Sequence, residues 1–180
     1  MIRSTHITTA GLLLLFLTTA CSKPAQNSAT ESATTPAAPS PAQRITSESV
    51  VKAEAQPVEI PAGGSGEAKI EVTIQSGYHV NANPPTYPYL KATELEIPPA
   101  DGVSVGFITY PKALSKKFPF AEKPLAVYEG KTELKVTLKA DKSAKPGQRS
   151  ISTRLRIQAC DEQVCYPPGT LALAIPVNIK

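Results

Sequence analysis

Tryptophan is absent from these 180 residues, methionine occurs once, histidine twice and cysteine three times. Each shortage removes a class of chemistry. With Met1 as the single methionine there is no thioether set for copper(I). Cys160, Cys165 and His79 are too few to close a structural zinc site. Haem attachment is excluded because the Cys160 to Cys165 spacing is wrong and no histidine follows Cys165. No metal or cofactor is therefore expected. His79 is accompanied by neither a nucleophile elbow nor a phosphate-binding glycine loop, which argues against a hydrolase and leaves it as a half-exposed strand residue. Charge of one sign is scarce as well: 19 Lys and Arg stand against 15 Asp and Glu, for a net +4. Without a basic block or an RNA-type aromatic motif, no nucleic-acid partner is expected. Runs of strong helix formers are lacking, whereas the 18 prolines point to short strands and turns.

At the amino terminus Arg3 and His6 precede an apolar run, Ala10 to Leu17, of signal-peptide length and too short to span a bilayer. It ends in Leu17-Thr18-Thr19-Ala20-Cys21, which resembles a bacterial lipobox with Thr18 where a leucine is usual. Residues 1–20 are therefore expected to be a lipoprotein signal peptide, and Cys21 the lipidated first residue of the mature chain. Two acyl chains make a stable anchor. Ser22 in place of aspartate favours the outer membrane if the source is Gram-negative. Up to residue 45 the chain is Ala, Pro, Ser, Thr and Gln, which cannot offset its ordering entropy by burial; it reads as a disordered tether. As a flexible coil it would span on the order of 25–30 Å.

Residues 46–180 read as one domain, expected to be monomeric. Ala68-Lys69-Ile70-Glu71-Val72-Thr73-Ile74 is a period-two strand with Ile70, Val72 and Ile74 on one face. Further strands are expected over Ser49 to Ala55, Val58 to Ile60, Tyr78 to Asn81, Leu90 to Ile97, Val103 to Ile108, Leu125 to Tyr128, Lys131 to Lys139, Arg149 to Ala159 and Thr170 to Ile179. Pro176 suggests an edge or a bulge in the last of them. Tyr110 to Pro124 fits neither period and reads as a long loop, with four lysines around Phe118-Pro119-Phe120. Eight or nine short strands without a helix for a βαβ unit predict an all-β, immunoglobulin-like sandwich.

Cys160 and Cys165 flank Asp161-Glu162-Gln163-Val164, at the mouth of a hairpin between the last two long strands. Exported cysteines in even number generally pair, and a hairpin of this size can meet the Cα separation of roughly 4.4–6.8 Å that a disulfide needs. So small a ring stabilises by only roughly 2 kcal/mol, against nearly 5 for a ring of about 100 residues. On the residues alone, the pair stands equally as a staple that shapes a loop and as a redox couple.

The run Gln158-Ala159-Cys160-Asp161-Glu162-Gln163-Val164-Cys165-Tyr166-Pro167-Pro168 resembles the N-terminal periplasmic domain of the disulfide reductase DsbD, a family also described as disulfide bond corrector proteins. The likeness extends through Tyr128-Glu129-Gly130-Lys131, the Tyr110 to Phe120 loop and Ile74 to Asn81, and covers most of Val50 to Lys180. It implies an immunoglobulin-like fold whose disulfide carries two electrons between a thioredoxin-like donor and periplasmic thiol proteins, such as disulfide isomerases or cytochrome c maturation factors. By the same resemblance Cys165 would enter the mixed disulfide with the partner and Cys160 would resolve it. Phe118 and Phe120 are the candidates for an aromatic cap, with Phe120 preferred. The intervening segment is one residue shorter than in the best-known member. No membrane conduit or thioredoxin-like domain follows before Lys180, so the electrons are expected to come from another protein.

Overall fold

The computed structural model describes residues 44–100 and 102–180. The expected signal peptide, Cys21 and the tether up to residue 43 lie outside the described residues. A 3-10 turn at Ser47–Val50 opens the domain, with Thr46 and Ser49 capping each other reciprocally. Twelve strands follow among the described residues: β1 Val51–Ala55, β2 Val58–Ile60, β3 Ser65–Ile74, β4 His79–Asn81, β5 Glu94–Glu96, β6 Val103–Thr109, β7 Leu114–Lys116, β8 Leu125–Tyr128, β9 Lys131–Ala140, β10 Gly147–Ile157, β11 Ala159–Cys160 and β12 Gly169–Ile179.

They form three sheets, in the orders β1-β3-β9-β6, β2-β12-β10-β5 and β11-β4-β8-β7. All pairings are antiparallel except that of β12 with β2. The first two sheets are the layers of the sandwich. Alternation on β3 sends Ala68, Ile70, Val72 and Ile74 inward, and register sets Ile70 opposite Leu134 and Ala68 opposite Val136. The second layer answers with Ile151, Leu155 and Ile157 of β10 and Ile175, Val177 and Ile179 of β12, all in the same buried cluster. Period-two sequences of β-branched residues thus become two apolar faces that bury each other, the main favourable term in a fold of this kind. On the solvent side of the second layer, Arg154 and Arg156 pair across β10/β5 with Glu96 and Glu94.

The immunoglobulin-like expectation agrees with this architecture; several details differ. The strands number twelve rather than eight or nine, with β7 and β11 added as strands of three and two residues. One of them, β7, lies inside the stretch read as a loop, where it pairs with β8. The strand expected from Leu90 shrinks to Glu94–Glu96, because Lys91 N–H is held by the Gln158 side chain and Thr93 N–H by the Asn81 carbonyl. Pro176 is neither in an edge strand nor at a bulge: β12 lies between β2 and β10, but β2 begins to pair only at Val177, so the proline faces no second ladder.

The third sheet positions the site. The β10/β12 hairpin ends at the pair Ile157 and Gly169. The eleven residues between leave that layer, and within them β11 pairs with β4. The cysteines therefore belong to a second, smaller hairpin nested in the connection of the first.

Candidate functional site

Cys160 and Cys165 form a disulfide with Cα atoms 3.9 Å apart. That is closer than expected, and backbone hydrogen bonding explains it. Asp161 N–H donates to the Val164 carbonyl at 3.0 Å and Tyr166 N–H to the Ala159 carbonyl at 2.8 Å. Those bonds bracket the two cysteines as a non-hydrogen-bonded antiparallel pair, the kind in which facing residues approach most closely. The two sulfurs have unequal surroundings: Cys160 is 0% exposed, whereas Cys165 is half-buried.

Asp161 knots the four-residue loop. One carboxylate oxygen accepts from the N–H groups of Gln163 at 2.7 Å and Val164 at 2.8 Å, and the other accepts the Tyr166 hydroxyl at 2.5 Å. The Tyr166 hydroxyl and the two N–H groups hold the Asp161 carboxyl below the usual carboxylate range. Reciprocally, that carboxylate pushes the Tyr166 phenol up to about 12. Gln158 ties the base of the hairpin to its surroundings: its oxygen accepts from the Asn81 amide at 3.1 Å and Lys91 N–H at 2.9 Å, and its amide donates to the Tyr166 carbonyl. Ser47 arrives from the other end of the chain. Its hydroxyl donates to the Pro167 carbonyl at 2.7 Å and accepts from Ala159 N–H at 2.9 Å, and Glu48 accepts from Thr170 N–H.

His79 stands directly opposite Cys160 in the β4/β11 pair. It is 1% exposed, which corrects the half-exposed expectation: β4 carries a neighbour strand on each side and a roof of aromatic rings over His79. Phe118, 2% exposed, stacks on the imidazole with ring centres 4.1 Å apart. Phe120, 42% exposed, stacks in turn on Phe118 at 5.4 Å. The loop behind the roof has a small core of its own, in which Phe118, Leu125 and Val127 pack with Tyr87, Leu90 and Ala121. Lys116 Nζ lies 5.6 Å from the centre of the Phe118 ring and pairs with Glu129 at 2.6 Å. Burial lowers the His79 pKa to about 4, with Glu129 opposing and Lys116 reinforcing the shift, so the ring is neutral near pH 7.

Both cysteines and both phenylalanines named from the sequence thus lie in or beside the third sheet, with Phe118 rather than Phe120 in contact with the buried layer. Sequence reasoning missed Ser47, Asp161 and Tyr166 as fasteners. Thr46-x-x-Ser49 and an aspartate opening a four-residue loop are recognisable capping and Asx-turn patterns that could have pointed to them. Among the described residues no three His, Cys, Asp or Glu side chains gather as a metal site, and no helix is long and apolar enough to cross a membrane.

An all-β sandwich with a short-loop disulfide in a third sheet, opposite a buried histidine that stacks under aromatic rings, defines the class of domain. A family model described as thiol:disulfide interchange protein DsbD, N-terminal, matches residues 46–175, and the chain belongs to that family. Among solved structures, the N-terminal periplasmic domain of ScsB from Proteus mirabilis matches with a TM-score of 0.50 at 14% identity, over 70% of this chain and 46% of that one. The chain thus spans less than half of that structure. The DsbD N-terminal domain of Neisseria meningitidis, in its reduced form, matches at 21% identity and a TM-score of 0.42, over 73% of this chain and 87% of that one. No curated protein matches the chain in sequence.

Proposed function

We propose that this chain is a membrane-tethered, periplasm-facing module that relays electrons by thiol–disulfide exchange through Cys160 and Cys165. The observation that carries the reading is the asymmetry of the couple, one cysteine fully buried opposite His79 and the other half-buried. Membership of the interchange family supports it. A thiolate of a reduced thioredoxin-like donor attacks Sγ of Cys165; the disulfide breaks and Cys160 leaves as the thiolate. The donor's second thiolate then attacks the mixed disulfide and releases Cys165, so two electrons have passed to the domain. Run in reverse against an oxidised periplasmic thiol protein, the same steps discharge it, the direction being set by the reduction potentials. Phe118 and Phe120 are assigned as the cap that shields the bond from small thiols until a partner docks. Cys21 is assigned as the lipid anchor, with residues 21–45 as the tether.

The test is a Cys160→Ser variant of the full chain, its Cys165 activated as the thionitrobenzoate mixed disulfide and challenged with a purified reduced thioredoxin whose own resolving cysteine is replaced, so that the thioredoxin thiolate displaces thionitrobenzoate, beside a glutathione titration of the wild type. The expected results are a mixed disulfide through Cys165 and a potential above about −300 mV. No adduct, together with a potential well below that value, would instead leave an immunoglobulin-like binding lipoprotein with a structural disulfide. Palmitate labelling that is absent from wild type as well as from Cys21→Ser would remove the anchor.

A further inference from the structure

Opening the disulfide raises a problem that the exchange steps do not solve. Cys160 has no solvent contact, and a sulfur cut off from water ionises reluctantly. Yet it must leave as a thiolate when the bond opens and attack as one when it closes. A neighbouring group has to hold the proton. His79 is opposite Cys160 in register, and residues so paired project to the same face with Cβ atoms roughly 4.5–5.5 Å apart. Its Nε2 is buried and has no hydrogen-bond partner, an arrangement that ordinarily costs stability. Phe118 stacks on the ring. His79, though 1% exposed, borders a cleft lined also by Tyr78, Lys116, Glu129 and Glu162.

We propose that His79 is the proton partner of the Cys160 sulfur, its unsatisfied Nε2 being reserved for the open state of the couple. The assignment rests on the exchange function proposed above. In the closing direction the Cys165 thiolate has formed a mixed disulfide with a partner. Neutral His79 takes the proton from the Cys160 thiol, the Cys160 thiolate attacks Sγ of Cys165, and the partner leaves as a thiolate. The imidazolium then gives its proton to water or to that thiolate. In the opening direction the same ring returns a proton to the departing Cys160. The charged groups facing the ring are Lys116 from β7, Glu129 at the end of β8, and Asp161 and Glu162 in the loop after β11. Lys116 is engaged by Glu129 and Asp161 by Tyr166, so neither is the free base. Burial keeps the ring neutral and so leaves Nε2 an acceptor, and a thiolate formed beside it in the open state raises its hold on the proton.

The experiment follows resolution of a glutathione adduct. Reduced full chain is mixed with oxidised glutathione, quenched, and the decay of the Cys165 adduct is read by mass spectrometry between about pH 5.5 and 8, below the ordinary thiol range. With His79 as base, the wild-type rate is nearly flat. His79→Phe keeps a ring under Phe118, and His79→Gln keeps a polar side chain; neither can take the proton. In both, the rate should follow the thiolate fraction, rising about tenfold per pH unit, and fall on the order of 100-fold below wild type at the acid end. A packing role would shift all pH values alike. Variants that keep the flat profile, or a wild type that itself rises tenfold per unit, overturn the assignment. Should His79→Phe fail to fold by circular dichroism, His79→Gln decides alone. A wild type that forms no adduct and never recloses overturns the exchange reading itself.

Discussion

The sandwich and the third sheet are built from the same chain by different means. Strands β3, β9, β10 and β12 run for ten or eleven residues and bury aliphatic side chains against one another. Strands β4, β7, β8 and β11 run for two to four; Val80, Tyr128 and Ala159 reach into the sandwich core, and the rest of the sheet is held by side-chain fasteners: Ser47, Gln158, Asp161 and the Phe118 stack. Apolar burial acts over a wide area and tolerates small shifts, whereas a fastener is a single bond with a single geometry. The third sheet is therefore the part expected to open locally while the sandwich stays folded. A redox site needs that separation, since its sulfurs must be reached without unfolding the domain.

The largest effect expected lies in the sandwich. Leu155 is fully buried between Leu95 and Leu171 across the second layer, so Leu155→Ala should cost about 2–5 kcal/mol and lower the urea midpoint. Reduction of the disulfide by dithiothreitol under native conditions should barely change. If reduction accelerates in step with the lost stability, the two regions open as one and the distinction fails.

Phe118→Ala sharpens the comparison from the other side. Its cluster is small and lies under a loop that can relax, so the expected cost is about 2 kcal/mol, below the usual range for a core phenylalanine. Dithiothreitol should then reduce the disulfide on the order of tenfold faster, because a roof over the buried layer is gone. Phe120→Ala, removing an exposed ring, should stay within about 1 kcal/mol and change the rate less. A larger acceleration from Phe120 would make it the true cap.

Ser47→Ala removes one hydroxyl that serves two backbone groups, the Pro167 carbonyl and the buried Ala159 N–H. Leaving such groups unpaired should cost about 1–2 kcal/mol. Amide exchange should register the loss at Ala159 and Tyr166 and leave Ile70 and Leu134 protected. Uniform loss across both regions would contradict a locally fastened site.

The same division explains what was readable in the sequence. Ile70, Val72 and Ile74 announce their strand and its buried face by period alone, because a sandwich strand meets its partners over a long register. The Cys160–Cys165 bond was legible from residue type and spacing, whereas Phe118 and Phe120 were named through family resemblance. The burial of His79 was not, since the ring that covers it arrives 39 residues later and the sulfur opposite it 81 residues later. Nor was the role of Ser47, whose two partners lie beyond residue 158. Strands of two or three residues have too few positions to show a period, which is why β7 and β11 were absorbed into a loop and a longer strand. Local pattern reports long strands well and says little about contacts made by one side chain across the fold.

The smallest expected effect tests the fastener most exposed to water. In Asp161→Asn the side-chain oxygen can still accept from Gln163 and Val164 N–H, so the turn should persist, but the charge and the acceptor of the Tyr166 hydroxyl are lost. Because Asp161 is the first cause of the raised Tyr166 pKa, the ionisation midpoint should fall from about 12 towards the ordinary value of 10.0, read by NMR of ring-labelled tyrosine. The sign of the linkage follows. A phenol whose folded pKa exceeds its unfolded one binds its proton more tightly when folded. That stabilisation is fully present below about pH 10 and is lost as the pH rises to about 12. The wild type should consequently lose stability relative to Asp161→Asn across that alkaline window, with the two parallel below it. A Tyr166 midpoint that stays near 12 in the variant would mean that burial, not the Asp161 bond, sets it, and that the loop is held as the sandwich is.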